Sequence, residues 1–253
     1  MAAREGIAGR HAVLQALRSG REVHSVLVRK ESAADPALQP IRDEAARRGL
    51  TLRYVTEGDL VRTVGSAAQG VGAIVAPLPD HSVKDLVQAA RAQGTEPLLV
   101  AVDGIEDPQN LGAIARTALL AGAHGMIVPE RGTAAIGAGA MSSSSGAFSV
   151  LPVARVASLA TALATLRREG VWVLGADANG GTAPWRLDLK GAVCVVLGSE
   201  HAGLSPQTLG ALDERVCIPT PGGDLSLNVS AAAAAILFER VRQTSAAPPK
   251  PRS

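Results

Sequence analysis

Five short runs in the second part of this chain are apolar almost from end to end. They are LLVAV at 98–102, GMIV at 125–128, VWVLGA at 171–176, AVCVVLG at 192–198 and RVCIP at 215–219. A strand with one face in water alternates apolar and polar residues. These runs do not alternate, which predicts strands buried on both faces. Helical patterns lie between them, NLGAIARTALLAG after the first and SLATALATLRREG up to the stop at Gly170. Strand alternating with helix predicts an α/β fold with a mostly parallel sheet covered on both sides. SVLPV at 149–153 reads as a further short strand, and the Gly/Ala/Ser-rich stretch at 132–147 as a mobile loop.

The first part is a smaller α/β unit. Helical pattern occupies 10–19, about 36–48 (closed by Gly49) and 57–64. Strand pattern occupies 24–28, 52–55 and 71–76. The two prolines of PLPD at 77–80 then break the pattern. The expected organisation is an α/β domain over 1–78, a linker over 79–96 that carries a connecting helix at 82–93, a larger domain over 97–242, and a polar, proline-rich, disordered tail over 243–253. Residues 1–79 carry 11 basic and 8 acidic side chains, whereas 80–242 carry 12 and 15. A basic first unit ahead of an acidic second leans towards a polyanionic partner for the first. With two Phe, two Trp and one Tyr in the chain, recognition of single strands by stacked aromatic platforms is disfavoured.

Cys194 and Cys217 both sit in β-like apolar stretches and read as buried thiols in a reducing compartment. No Cys/His cluster has metal-ligand spacing, so no metal is expected. MAAREGIAGR has no apolar signal core and no run is long enough to span a bilayer, so the expected location is the cytoplasm, with no membrane partner.

Three polar segments interrupt the apolar texture, and each follows a strand, where open α/β sheets hold their ligands. In DGIEDPQNLGAIARTA (103–118), Asn110 stands where a helix would begin, and Arg116 is flanked by Ile114, Ala115, Ala118 and Leu119. An N-cap accounts for Asn110; a solvated surface position accounts less well for an arginine among those neighbours. In LGSEHAGLSP (197–206), glycines flank Ser199-Glu200, and Ser205-Pro206 reads as a helix start. In IPTPGGDLSLNVSAAA, prolines and glycines force an irregular backbone ahead of Ala231–Ala235. Ser226, Asn228 or Ser230 could cap the helix that follows.

Taken together and in this order, the segments resemble the SpoU (TrmH-like) branch of the SPOUT methyltransferases. The matching motifs are Asn-x-Gly-Ala-x-x-Arg-Thr-Ala at 110–118, Leu-Gly-Ser-Glu-x-x-Gly-Leu-Ser at 197–205, and Ile-Pro followed by Ser-Leu-Asn-Val-Ser at 218–230. GRHAVLQAL and AQGVGAIVA extend the resemblance to the RNA-binding domain of the bacterial 23S rRNA guanosine 2′-O-methyltransferases, so that it spans roughly 6–242. Three positions depart from the common pattern. Ala68 stands where relatives often have His, Met141-Ser142 where lysines are frequent, and Ala202 where a basic or polar residue is frequent.

The resemblance implies a deep trefoil knot, a small N-terminal α/β RNA-binding domain, a homodimer, and S-adenosylmethionine as cofactor. It implies a catalytic set of Asn110, Arg116, Glu200, Ser226 and Asn228, with backbone at Gly198, Ile218 and Leu227 holding the cofactor. The implied reaction is 2′-O-ribose methylation of RNA, with a guanosine of 23S rRNA the leading substrate. A tRNA ribose methyltransferase and a non-catalytic RNA-binding protein are the alternatives. A dehydrogenase is disfavoured because Gly137-Ala-Gly139-Ala-Met-Ser142 lacks the third glycine and is misplaced. A serine hydrolase is disfavoured because no Gly-x-Ser-x-Gly occurs. His124 and His201 read as ordinary surface or turn residues without evident partners.

Overall fold

The computed structural model describes residues 5–65, 68–77, 79–200, 202–222 and 226–245, with the backbone alone at 138. The first sheet is built from β1 (Glu5–Ala8), β2 (Val23–Arg29), β3 (Leu52–Val55) and β4 (Val71–Val75), in the order β1-β4-β2-β3. Helices α1 (Arg10–Arg18), α2 (Gln39–Arg47) and α3 (Glu57–Val64) connect them. β2 and β3 are parallel, whereas β4 runs antiparallel to both β1 and β2, so this sheet is mixed. β1 escaped the sequence reading because four residues show no periodicity. It is fixed by pairing, Glu5 opposite Val75, and by Arg21, whose Nη2 donates to Glu5 Oε2 at 2.6 Å and to Ala76 O at 2.7 Å.

The second sheet contains β5 (Leu98–Asp103), β6 (Gly125–Pro129), β7 (Val153–Val156), β8 (Trp172–Ala176), β9 (Val193–Gly198) and β10 (Glu214–Val216). Its order is β10-β8-β9-β5-β6-β7 and every pairing is parallel, as the unbroken apolar runs predict. The helices are α4 (Val83–Ala92), α5 (Pro108–Leu120), α6 (Ala138–Ser143), α7 (Leu159–Arg168), α8 (Pro206–Leu209) and α9 (Val229–Thr244). α4 starts in a reciprocal Ser82/Asp85 capping box. Its Val83, Leu86 and Val87 join Leu163, Leu166, Val173 and Val196 in one buried cluster, so α4 is a structural layer of this sheet. α9 reaches Thr244, and Gln243 anchors its end: Nε2 donates to Leu187 O at 2.9 Å and Oε1 accepts from Leu189 N at 2.8 Å. Residues 246–253 of the expected tail lie outside the described residues.

The chain forms two compact units. One comprises Met1–Pro79, Asp107–Arg116 and Ala134–Leu151; the other comprises Asp80–Glu106, Thr117–Thr133 and Pro152–Ser253. In the first unit α6 packs on β1, and the 3-10 turn Ala147–Ser149 packs on α1.

Four expectations need correcting. The stretch 132–147 is not simply a loop: it contains α6, and Ala140, Met141, Ala147 and Phe148 are buried. Small side chains hid the helix from a reading based on apolar periodicity. The strand expected at 149–153 begins at Val153 instead; Ala147–Ser149 is a 3-10 turn and Pro152 lacks the N–H a ladder needs. Cys194 is buried, and burial pushes its thiol pKa up, but Cys217 lies just past β10 and is only half-buried. His124 does have partners: Nδ1 accepts from Leu98 N at 3.1 Å and Nε2 lies 2.9 Å from Thr95 Oγ1. His201 lies outside the described residues.

Candidate active site

The first motif forms the start of α5. Asp107 precedes the helix, its carboxylate accepting from Gln109 N at 2.9 Å and its carbonyl from Leu111 N at 3.0 Å. Asn110 therefore lies within the first turn of α5, and the expected N-cap position is occupied upstream. Leu111, Ile114, Ala115 and Ala118 are fully buried, which rotates Arg116 to the exposed side. Gly112 is required by proximity. A Cβ there would strike Ser143 Oγ and would meet Ala140 O at 2.6 Å and Ser144 N at 2.7 Å. The α5 backbone thus rests directly on the turn that ends α6, and Ser143 Oγ donates to Pro108 O at 3.0 Å across the same contact.

The second motif follows β9. Gly198 is buried, and a Cβ on it would meet Gly203 C at 2.5 Å, because the loop folds back on itself. Ser199 N donates to Gly203 O at 3.0 Å and Gly203 N to Ser199 O at 2.9 Å, with Gly203 at φ +68°. The tight return projects Glu200 outward, exposed. Asp103, register-paired with Gly198 at the end of β5, accepts from Ser205 N at 2.7 Å. That carboxylate pins the loop to the central strand. Its signal in the sequence is the one acidic residue ending an otherwise apolar run, LLVAVD.

The third motif begins after β10. Among the described residues no hydrogen bond is made by the backbone of 218–222 or 226–227, and Pro219 and Pro221 have no N–H to give. Ile218 is half-buried, Ser226 and Leu227 are exposed, and 223–225 lie outside the described residues. Of the three cap candidates, Asn228 is the N-cap of α9: its Oδ1 accepts from Ser230 N at 2.9 Å and from Ser230 Oγ at 2.5 Å. Its Nδ2 donates to Glu200 Oε1.

Asn110 and Arg116 thus belong to the first unit, and Gly198, Glu200, Ile218, Ser226, Leu227 and Asn228 to the second. Within the second, Glu200 and Asn228 are joined directly. The Ser199–Gly203 return and the irregular segment after β10 both lie at strand ends, where open α/β sheets hold their ligands. No group of His, Cys, Asp and Glu among the described residues is arranged to hold a metal ion, and no helix there is long and apolar enough to cross a membrane.

Residues 97–238 match the SpoU rRNA Methylase family, and residues 7–81 match a domain described as RNA 2′-O ribose methyltransferase substrate binding. The 23S rRNA (guanosine-2′-O-)-methyltransferase RlmB of Xylella fastidiosa strain 9a5c is 40% identical over 242 residues, covering 94% of this chain and 96% of that protein. An uncharacterised tRNA/rRNA methyltransferase of Synechocystis sp. is 39% identical over 236 residues, and the chain spans 62% of its length. The SpoU methyltransferase AviRb from Streptomyces viridochromogenes, solved in complex with AdoMet, matches with a TM-score of 0.78 at 27% identity, covering 95% of this chain and 90% of that one.

Proposed function

The chain belongs to the SpoU rRNA methylase family, and on that premise we propose that it is an S-adenosylmethionine-dependent RNA methyltransferase acting on a ribose 2′-hydroxyl, with a guanosine of 23S rRNA as its target. The observation that carries this reading is the Glu200–Asn228 contact, which ties the second motif loop to the third. End-to-end similarity to RlmB favours 23S rRNA over tRNA, although the Synechocystis relative is named for both.

Bound S-adenosylmethionine supplies a methyl group already activated on a sulfonium. The protein's task is to align the ribose oxygen with that methyl and to ease loss of the hydroxyl proton. Backbone at Gly198, Ile218 and Leu227 holds the cofactor. A guanidinium keeps its protons in proteins and makes a poor base, so the proton passes to water while that of Arg116 stabilises the developing alkoxide and a neighbouring phosphate. Asn110, Glu200, Ser226 and Asn228 fix the ribose, the arginine and the loops. As the family resemblance implies, the third motif segment threads through a loop to form a deep trefoil knot, and α9 pairs with a second copy through its exposed Ala231, Ala235 and Phe238. The domain at 7–81 selects the RNA, and the enzyme works in the cytoplasm.

Two assays on the full chain test this. Calorimetry with S-adenosylhomocysteine should give one site per subunit, and RNA incubated with methyl-labelled cofactor should gain label. Cofactor binding without transfer to any RNA would favour a non-catalytic RNA clamp.

A further inference from the structure

Arg116 is the cation proposed to act at the ribose, and the structure gives it one hydrogen bond among the described residues. Nη1 donates to Ser145 Oγ at 3.3 Å. No carboxylate pairs with it there. A neutral hydroxyl aims a guanidinium without cancelling its charge, and the remaining N–H groups stay available to a phosphate or an alkoxide.

The position of Ser145 is imposed by its surroundings. It has φ +50°, a left-handed conformation that glycine adopts freely and serine does not. The turn is closed by Ser145 N donating to Ser142 O at 3.1 Å and Ala147 N to Ser144 O at 3.0 Å. The buried Ser144 Oγ donates to Met141 O at 2.9 Å. Gly112 lets α5 lie against Ser143 and Ser144, and Arg116 is one helical turn further along the same face, next to Ser145. On its other side the turn abuts α1, where a Cβ on Gly146 would meet Gln15 Cβ at 2.6 Å.

We propose that Ser145 is a positioning residue for Arg116, kept in a strained turn for its hydroxyl and not for the shape of the backbone. The proposal rests on Arg116 acting at the ribose. If the turn mattered only as a turn, glycine would serve at least as well at φ +50°.

The test compares Ser145→Gly, Ser145→Ala and Ser145→Asn in the full chain. Asn tolerates the left-handed region and offers an acceptor oxygen. Gly and Ala should each lower kcat between about 5- and 50-fold while KM for RNA and affinity for S-adenosylhomocysteine stay within about 2-fold. Asn should recover most of the loss. Wild-type kcat in Ser145→Gly overturns the proposal. Relaxation of the Arg116 Nε–H signal provides a readout independent of turnover. It should show the side chain more mobile in Ser145→Gly, and equal mobility overturns the proposal even if the wild-type protein methylates nothing. Absence of methylation in the wild type would instead count against the assigned reaction.

Discussion

Asn228 holds Glu200 with one end of its amide and caps a helix with the other. Nδ2 donates to Glu200 Oε1, while Oδ1 accepts from Ser230 N at 2.9 Å at the start of α9. The helix start thereby fixes an exposed carboxylate on a different strand-end loop, and the two roles separate by mutation.

Asn228→Asp keeps a good cap but places a second carboxylate beside Glu200. Its thermal stability should stay within about 1 kcal/mol of wild type, whereas Asn228→Ala should lose about 1 kcal/mol through the cap. Both should reduce methylation. An Asp variant as active as wild type would mean that the Glu200 contact has no part in the reaction.

Gly112→Ala tests the close approach of α5 to the 143–144 turn. The added methyl has nowhere to go without moving Ser143 Oγ and backbone at 140 and 144. Overpacking of this kind should cost about 1–3 kcal/mol, read as a lower denaturant midpoint at unchanged m-value. An unchanged midpoint would show that the turn gives way freely.

Arg116→Ala should leave S-adenosylhomocysteine affinity nearly intact and abolish transfer. Arg116→Lys should recover little, because a point charge cannot reproduce the planar fork. Near-wild-type kcat in the lysine variant would argue for a simple electrostatic role.

His124 makes stability depend on pH. Burial, with a further push from the positive Arg240, lowers its pKa from the ordinary 6.5. The neutral ring is the one that accepts from Leu98 N. As pH falls through about 6.5 the unfolded chain takes up the proton first. This contribution to stability is therefore complete above that pH, declines below it, and levels off beneath the folded-state value. Urea midpoints from pH 7.5 to 5 should show the decline, and His124→Gln should flatten it. Parallel curves for the two proteins would contradict this assignment.

Much of the fold was legible because its signals are local. VWVLGA and AVCVVLG are apolar throughout, and β8 and β9 lie inside a parallel sheet as such runs require. The predicted helix EGDLVRTV is α3 residue for residue. What stayed hidden depends on contacts distant in sequence. β1 exists through its pairing with β4, α6 through burial against β1, and His124 through Thr95 and Leu98. The motif loops were legible as irregular, polar strand ends. The sequence did not disclose that Asp103 holds Ser205, or that a serine in the run 142–145 meets Arg116.

The central claim is chemical, and one measurement addresses it directly. Purified protein, deuterated-methyl S-adenosylmethionine and unmodified total RNA are incubated, and the 23S rRNA and tRNA fractions are then digested separately to nucleosides for mass spectrometry. The account predicts labelled 2′-O-methylguanosine from 23S rRNA, absent with Arg116→Ala. Label on a nucleobase, label confined to tRNA, or no label from a protein that binds S-adenosylhomocysteine would contradict it.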